Sequence, residues 1–426
     1  MLSLFDFAAL LITLTALFSW LNHRFIGLPR NIGLLLMGLA AATLMVAVEY
    51  MFPRLDVAGA VTRAIRQINF YDALMNGMLA FLLFAGALHV DWSALRSRVG
   101  LVGVLATAGV AISTAIVGIG FYGLARILGI DLPLGWALVF GALISPTDPV
   151  AVLSTLQGVR LPKKLVADMA GESLFNDGVG VVIFTVLLGF ATAGSAGSAS
   201  GVAVFLAREA LGGMLLGLVT GYVAYRAMRA IDDYPIEILI SLALVTGTYA
   251  FAGAIHVSGP IAVVVAGLLT GTRGPVDAMS DLTQRYLFGF WGLIDEMLNA
   301  VLFLLIGLEL IALPFRPALV WIALLAIPLV LVARYVSVAV PVSAFLRGDF
   351  VRGSIPILTW GGVRGGISVA LALSLPDVVE RNPILAATYA VVIFSIVVQG
   401  LSIARLAGAV LARLGGAPAA TAADRH

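Results

Sequence analysis

The sequence predicts an all-α polytopic membrane protein with about 13 transmembrane helices, two of which, helices 5 and 12, are discontinuous. Of its 426 residues, 61% are hydrophobic and only 11% are charged, whereas soluble domains average about 25% charged residues. The apolar residues are grouped into stretches long enough to cross a bilayer. Motifs rich in proline or glycine interrupt two of these stretches, which indicates two related halves.

Each helix is placed by an apolar stretch, since a span needs about 20 mostly apolar residues. The first six lie at Phe5–Leu21, Ile32–Phe52, Tyr71–Val90, Leu101–Leu124, Leu134–Leu156 and Val166–Thr192. The other seven lie at Val204–Met228, Pro235–His256, Gly259–Thr272, Tyr286–Leu313, Pro317–Phe345, Ile355–Leu375 and Pro383–Leu411. The ninth stretch is short and begins at Gly259-Pro260, so it is either a span or a re-entrant segment.

Lysine and arginine residues predict the orientation, because they concentrate in cytoplasmic loops. With the N-terminus outside, 16 of the 25 fall on the inner side and 7 on the outer side, while Arg334 and Arg364 fall inside predicted helices. This bias predicts an external N-terminus, a cytoplasmic C-terminus and an odd number of helices. The net charge of +2 is small and scattered, so no nucleic-acid partner is expected.

Two inverted six-helix repeats are the expected organisation. Helix 5 is interrupted at Pro146–Pro149 and helix 12 at Gly361–Gly366, and each is the penultimate helix of its half. Discontinuous helices at matching positions are typical of transporters with inverted repeats. We therefore predict a first repeat at residues 1–192, a linker with helix 7 at 193–230, a second repeat at 231–413 and a disordered cytoplasmic tail at 414–426. The small-residue stretch at 193–201 is expected to be a flexible external loop.

Helix 5 carries the motif Ser145-Pro146-Thr147-Asp148-Pro149. Each proline lacks a backbone donor and disfavours helix in the residue before it, so the helix should unwind over about four residues. Unwound backbone at membrane depth is tolerated where it is buried in protein or lines a cavity, and half-helix ends can hold ions. Thr147 and Asp148 are therefore candidate ion ligands. The structural alternative is a proline kink in which Asp148 caps the second half-helix.

Helix 6 carries a second polar motif, Gly171-Glu172-Ser173-Leu174-Phe175-Asn176-Asp177. Ser173 and Asp177 are four residues apart and share a helix face, with Asn176 beside them and Asp168 one turn before Glu172. Their oxygen atoms suit a small monovalent cation, while the carboxylates are too few for a dedicated divalent site. Ionisable residues at this depth are functional by default, and Asp177 is the main candidate to hold a cation or a proton. The alternative is a polar network that only holds the helices together.

Two arginines are expected inside the membrane and need partners, because an unpaired buried charge is very costly. Glu172 is the best available partner for Arg334, which predicts a structural ion pair near the second motif. Arg364, in the interruption of helix 12, is expected to offset carbonyl dipoles where the two broken helices cross, or to repel cations from a wrong path. The remaining acidic side chains of helix 10 are expected nearer the interfaces, in contact with water; they are Asp295, Glu296 and Glu309.

Together, the two motifs resemble the paired signature of the monovalent cation–proton antiporters. Within that family the sequence is similar to the NhaP-type bacterial sodium–proton antiporters, which are relatives of the eukaryotic sodium–proton exchangers. The resemblance extends to Phe303–Glu309 and Gly361–Gly365 and so covers most of the chain. It implies a transporter, not an enzyme, in the bacterial inner (cytoplasmic) membrane.

The resemblance also implies roles for individual residues. Asp177 would carry the cation and the proton in turn, with Asn176 in place of the second aspartate of the electrogenic branch. Thr147, Asp148 and Ser173 would supply further contacts to the sodium ion at Asp177. The Asn-Asp pair implies electroneutral exchange, and the family implies a homodimer with an elevator-like motion. No cofactor is expected beyond the transported sodium ions and protons.

Three alternatives remain open at this point. An intramembrane aspartyl protease would use Asp148 and Asp177 as a dyad that shares a proton, although Asn176 and the broken helices fit ion transport better. A cation channel would need a pore ring, usually formed by an oligomer. The third alternative is an antiporter that also carries lithium or potassium. Ala85 bears on that alternative, because some relatives have a glutamate at this point of helix 3 and alanine cannot bind an ion.

Overall fold

The regular structure is entirely helical in the described part of the chain. A computed structural model describes residues 4–52, 77–156, 158–159, 161–193, 199–309, 317–345 and 353–414, and within these ranges it contains no β-strand. Ten of the described helical segments are long and apolar enough to cross a membrane. The all-α, multi-pass class is therefore confirmed, while the total of 13 helices stays a prediction.

The N-terminal part leads up to the first interruption. Its helices are α1 (Leu4–Leu21), α2 (Arg30–Met51), α3 (Leu79–Leu88), α4 (Trp92–Arg96), α5 (Val99–Ile127), α6 (Leu134–Ile144), α7 (Pro149–Leu156) and α8 (Lys163–Ala193). A π-helical turn at Leu105–Gly109 lies within α5. Predicted helix 3 starts at Tyr71, and its part before residue 77 lies outside the described residues.

The C-terminal part contains the second interruption. Its helices are α9 (Ala199–Arg229), α10 (Tyr234–Ala254), α11 (Gly259–Asp277), α12 (Asp281–Glu309), α13 (Pro317–Phe345), α14 (Ser354–Trp360), α15 (Gly366–Leu373) and α16 (Arg381–Arg413). A π-helical turn at Ser395–Gln399 lies within α16.

Helix α11 corrects the ninth prediction, which ended at Thr272. It is a continuous helix of 19 residues and meets the criterion of length and composition for a span, which favours the span over the re-entrant segment. The Ser258 hydroxyl caps its first turn by accepting a hydrogen bond from the Ile261 backbone nitrogen. Pro260 lies in that turn, where the hydrogen-bond donor that proline lacks is not needed. The glycine-proline pair therefore begins this helix and does not break it.

The small-residue linker is shorter than predicted. Ala193 is the last residue of α8 and Ala199 the first of α9, so both ends of the predicted loop at 193–201 are helical. Alanine has the highest helix propensity of all residues, which favours extension of the two helices. Residues 194–198 and the predicted tail from residue 415 lie outside the described residues. The division into two inverted repeats stays a prediction.

Close helix packing depends on small residues at the contacts, as is usual where helices meet in a membrane. A side-chain carbon at Gly307 of α12 would lie only 2.6 Å from the Leu35 carbonyl oxygen of α2. At Gly141 of α6 it would collide with the Thr114 carbonyl oxygen of α5. These glycines let α2 approach α12 and α5 approach α6, which brings the first broken helix into the buried core.

The two interruptions meet each other. The first runs from the end of α6 at Ile144 to the start of α7 at Pro149, and the second from the end of α14 at Trp360 to the start of α15 at Gly366. The Asp148 backbone nitrogen donates a hydrogen bond to the Val363 carbonyl oxygen at 2.7 Å. The predicted breaks in helices 5 and 12 are therefore present, and their backbones are directly joined.

Candidate ion-binding site

A hydrogen-bonded network fixes the first interruption against α8. The Asn176 amide nitrogen donates to Thr147 Oγ1 at 2.9 Å, and Asn176 Oδ1 accepts from the Thr147 backbone nitrogen at 3.3 Å. The Ser173 and Thr147 hydroxyls are 2.8 Å apart, and the Ser173 hydroxyl also donates to the Thr147 carbonyl oxygen. All three side chains are buried. The predicted ligands Thr147 and Ser173 are thus bonded to each other here.

Asp177 follows directly after this network on α8. It is only 7% exposed, and no hydrogen bond or salt bridge to its carboxylate occurs within the described part of the chain. Asp177 and Asp148 line one cavity of about 80 Å³. A buried carboxylate is stable only when it is neutralised or paired. Asp177 therefore remains a candidate to hold a proton or a cation, as the sequence predicts.

Arg364 lies in the second interruption and is 1% exposed. Its Nη1 donates to the Pro146 carbonyl oxygen at 2.9 Å and also to the Ser145 carbonyl oxygen. Both carbonyls lie just beyond α6, where a helix leaves acceptors unpaired. The guanidinium therefore offsets the negative end of that half-helix. This is the placement at the crossing that the sequence predicts.

Asp295 is not near an end of its helix, where the sequence analysis expects it. It lies near the middle of α12 and lines the same cavity as Asp148 and Asp177. Its neighbour Glu296 pairs with Arg30, and more than half of both side chains is exposed. The predicted helix starts at Tyr286, later than α12 does, and this late start displaces Asp295 towards the end of the span.

Two further polar residues line the cavity and carry no signal in the motifs. They are Asn299, one turn after Asp295 on α12, and Ser368, in the first turn of α15. Asn299 has a weak sequence signal, because it is a polar residue four positions from an intramembrane carboxylate. Ser368 has none, since a lone serine in an apolar helix is common. Glu309, by contrast, is the last residue of α12.

Comparison with known proteins identifies the family. The family model described as "Sodium/hydrogen exchanger, transmembrane" matches residues 11–409. The chain belongs to this family of exchangers. The exchanger is 48% identical, over 407 residues, to the Na(+)/H(+) antiporter NhaP of Pseudomonas aeruginosa, covering 94% of this chain and 96% of that protein. It is 37% identical, over 382 residues, to the Na(+)/H(+) antiporter NhaH of Halobacillus dabanensis, covering 88% and 90% respectively.

A solved structure shares the fold of the exchanger. The sodium proton antiporter MjNhaP1 from Methanocaldococcus jannaschii matches with a TM-score of 0.74 at 20% identity, covering 96% of this chain and 98% of that one. The relatives place the chain among the NhaP-type monovalent cation–proton antiporters, as the two motifs indicate. Family members are transporters and not enzymes, so neither the protease nor the channel is favoured.

Arg334 and Glu172 of the exchanger form a buried ion pair. Arg334 of α13 donates from Nη2 to Glu172 Oε2 at 2.9 Å, and from Nη1 to Glu172 Oε1. The same Nη2 donates to the Leu358 carbonyl oxygen of α14 at 2.9 Å. A side-chain carbon at Gly362 would collide with the guanidinium. The pair therefore connects α8 with α13 and with the first half of the second broken helix.

A second buried ion pair escapes the sequence analysis. Arg98, which the positive-inside count places in a cytoplasmic loop, donates from Nε and Nη2 to the two carboxylate oxygens of Asp168, each at 2.8 Å. Both side chains are buried. In the sequence, Asp168 itself could have indicated this pair, because a carboxylate on an apolar helix requires a cationic partner. This pair holds the turn before α5 against α8.

We expect Glu172→Gln to lower the free energy of unfolding by about 3–5 kcal/mol, because Arg334 would remain buried without its counter-charge. Thermal unfolding of the purified exchanger in detergent measures this. The matched control is Glu296→Gln, which breaks the exposed pair with Arg30 and should cost about 0–1 kcal/mol. An unchanged melting temperature for Glu172→Gln would show that Arg334 does not depend on Glu172.

We expect Gly365→Ala to slow cation–proton exchange by about tenfold or more, because a small displacement of a reacting group is costly. The added carbon would collide with the Asp148 carboxylate and lie 2.6 Å from its Cβ, so Asp148 must move. Gly189→Ala on α8 is the control, since nothing lies within 4 Å of its added carbon. Exchange at the wild-type rate in Gly365→Ala would mean that the position of Asp148 does not matter.

Proposed function

We propose that this chain is a secondary active transporter that exchanges sodium ions for protons across a bacterial cytoplasmic membrane, with Asp177 as the carrier of both. The main support is the Asp177 carboxylate, which is buried, has no fixed partner within the described residues and shares a cavity with Asp148. The relatives that match over most of the chain are named Na(+)/H(+) antiporters. The transported ions are the substrates, and no cofactor is involved.

Coupling follows from the cost of moving a bare carboxylate through an apolar barrier. With a proton or a sodium ion bound, Asp177 is close to neutral, so only the loaded forms cross. A difference of about 3 kcal/mol between empty and loaded carriers would hold uncoupled leak below about 1% of turnover. One ion must then be exchanged for the other, by alternating access of the cavity to the two sides.

Electroneutral exchange is supported by the residue next to Asp177. Asn176 is uncharged, and both ends of its amide are bonded to Thr147. It therefore holds the interruption in place and cannot carry a proton. With Asp177 as the single carrier, one cation is exchanged for one proton and no net charge moves.

An elevator-like motion is supported by the bonds around the site. Asp148 is joined to Val363, and Arg364 to Pro146, while Asn176 joins the first interruption to α8. The two interruptions and α8 would therefore move as one body. We propose that this body moves within each subunit of a homodimer, with the N-terminus outside and the C-terminus in the cytoplasm.

We expect Asp177→Asn to abolish sodium-driven proton movement. The asparagine side chain carries no charge, so it can neither take up a proton nor balance the charge of a sodium ion. The assay is proton flux into proteoliposomes, read with a pH-sensitive dye, after addition of sodium, lithium or potassium; this also measures selectivity. Asp377→Asn is the matched control, since the Asp377 side chain is fully exposed. Wild-type exchange in Asp177→Asn would refute the assignment.

We expect the rate of exchange to be independent of membrane potential. If one cation moves for each proton, an imposed potential does no work on the cycle. Proteoliposomes clamped with potassium and valinomycin at zero and at about −100 mV should give equal initial rates. A rate that changes several-fold between the two potentials would show that net charge moves in each cycle and would contradict electroneutrality.

A further inference from the structure

The cavity beside Asp177 has a polar wall that the two signature motifs do not supply. Asp295 and Asn299 of α12, and Ser368 of α15, line it together with Asp148 and Asp177. We propose that Asp295, Asn299 and Ser368 form an entry site, a second set of oxygen ligands that holds the transported monovalent cation before it reaches Asp177. The identity of its ligand, a monovalent cation, rests on the proposed function.

The Ser368 hydroxyl is the first observation that points to a ligand. The residue is 1% exposed, and among the described residues its oxygen has no hydrogen-bond partner. Buried hydroxyls are normally hydrogen-bonded. Even the half-buried Ser374, directly after the other end of α15, donates to the Leu371 carbonyl oxygen at 2.7 Å. A bound cation would use the Ser368 oxygen, which otherwise has no function in the fold.

Asn299 holds the Asp295 carboxylate in place through a hydrogen bond. Its amide nitrogen donates to Asp295 Oδ1 at 3.0 Å and to the Asp295 carbonyl oxygen at 2.9 Å. The donor end of the amide is thus used within α12, and its carbonyl oxygen remains as an acceptor. Carboxylate, amide and hydroxyl oxygens are the hard donors that small cations prefer. The three side chains together offer all three kinds.

Asp295 is the more exposed of the two aspartates on α12 and α8 that line the cavity. It is half-buried, whereas Asp177 is only 7% exposed. Asp148 lines the same cavity as both aspartates. Negative groups that line a cleft with apolar walls raise the local concentration of cations. In the proposed entry site, a cation would therefore reach the more exposed Asp295 before the buried Asp177.

Two other ionisable side chains lie near Asp295, and neither is bonded to it within the described residues. Glu296 is turned away towards Arg30. The His89 ring lies against α12 one turn before Asp295, with Nε2 4.0 Å from the position of a side-chain carbon on Gly292. Its Nδ1 is 2.7 Å from the Ala85 carbonyl oxygen, so Nδ1 donates its hydrogen to that carbonyl. The Asp295 carboxylate therefore has no fixed ion-pair partner in the described part of the chain.

The test compares Asp295→Asn with Glu296→Gln, which removes the neighbouring carboxylate. In proteoliposomes we expect Asp295→Asn to raise the KM for sodium about tenfold and to leave the maximal rate near that of wild type. Binding of radioactive sodium to the purified protein should weaken by the same factor. Glu296→Gln should match wild type in both measurements.

Ser368→Ala is the second variant, and it removes no charge, so it tests the site even if Asp295→Asn does not fold. We expect its KM for sodium to rise about threefold, with the maximal rate unchanged, because only a binding contact is lost. Ser374→Ala is its matched control and should behave as wild type. Wild-type KM and binding in both Asp295→Asn and Ser368→Ala would overturn the entry site.

The two proposals fail in distinguishable ways. If wild type exchanges sodium for protons but the entry-site variants keep its KM and its sodium binding, the entry site is wrong and the proposed function stands. If wild type does not exchange these ions, the proposed function is wrong. Sodium binding then still decides the entry site: binding weakened by Asp295→Asn or Ser368→Ala supports it, and unchanged binding refutes it.

Discussion

The contact between the Arg364 guanidinium and the carbonyl groups that follow α6 is the interaction on which the site depends. Two helices are broken inside the protein, and each break leaves backbone groups that an apolar environment cannot satisfy. Arg364 bonds the carbonyls of Ser145 and Pro146, and the Asp148 backbone nitrogen bonds the carbonyl of Val363. Each interruption thus satisfies the other, so neither is stable in this form alone.

Around this crossing, charged groups divide into those with fixed partners and those without. Glu172 and Asp168 are each held by an arginine and connect α8 to its neighbours. Asp177 has no such partner in the described part of the chain. Both ends of the Asn176 amide beside it are hydrogen-bonded to Thr147. Paired charges therefore flank the Asp177 carboxylate, to which we assign ion binding in the proposed function.

Sequence reasoning reached the breaks and the motif residues because proline and intramembrane charge leave local signals. Pro146 and Pro149 predict the first interruption, and a buried Arg334 demands a carboxylate, which Glu172 supplies. It failed where the outcome depends on long-range packing or on helix ends. Asp295 was misplaced because the start of α12 was set too late, and the orphaned hydroxyl of Ser368 becomes visible only when α15 is packed against its neighbours.

The size of the cavity has a consequence for the ion itself. A volume of about 80 Å³ holds only a handful of water molecules. A sodium ion in solution carries a full hydration shell, so under the proposed function it would exchange part of that shell for protein oxygens as it enters. Potassium gives up its hydration water more readily than sodium, and lithium less readily. The dehydration free energy of the ion would therefore be one component of its affinity for the proposed site, alongside the charge of the aspartates.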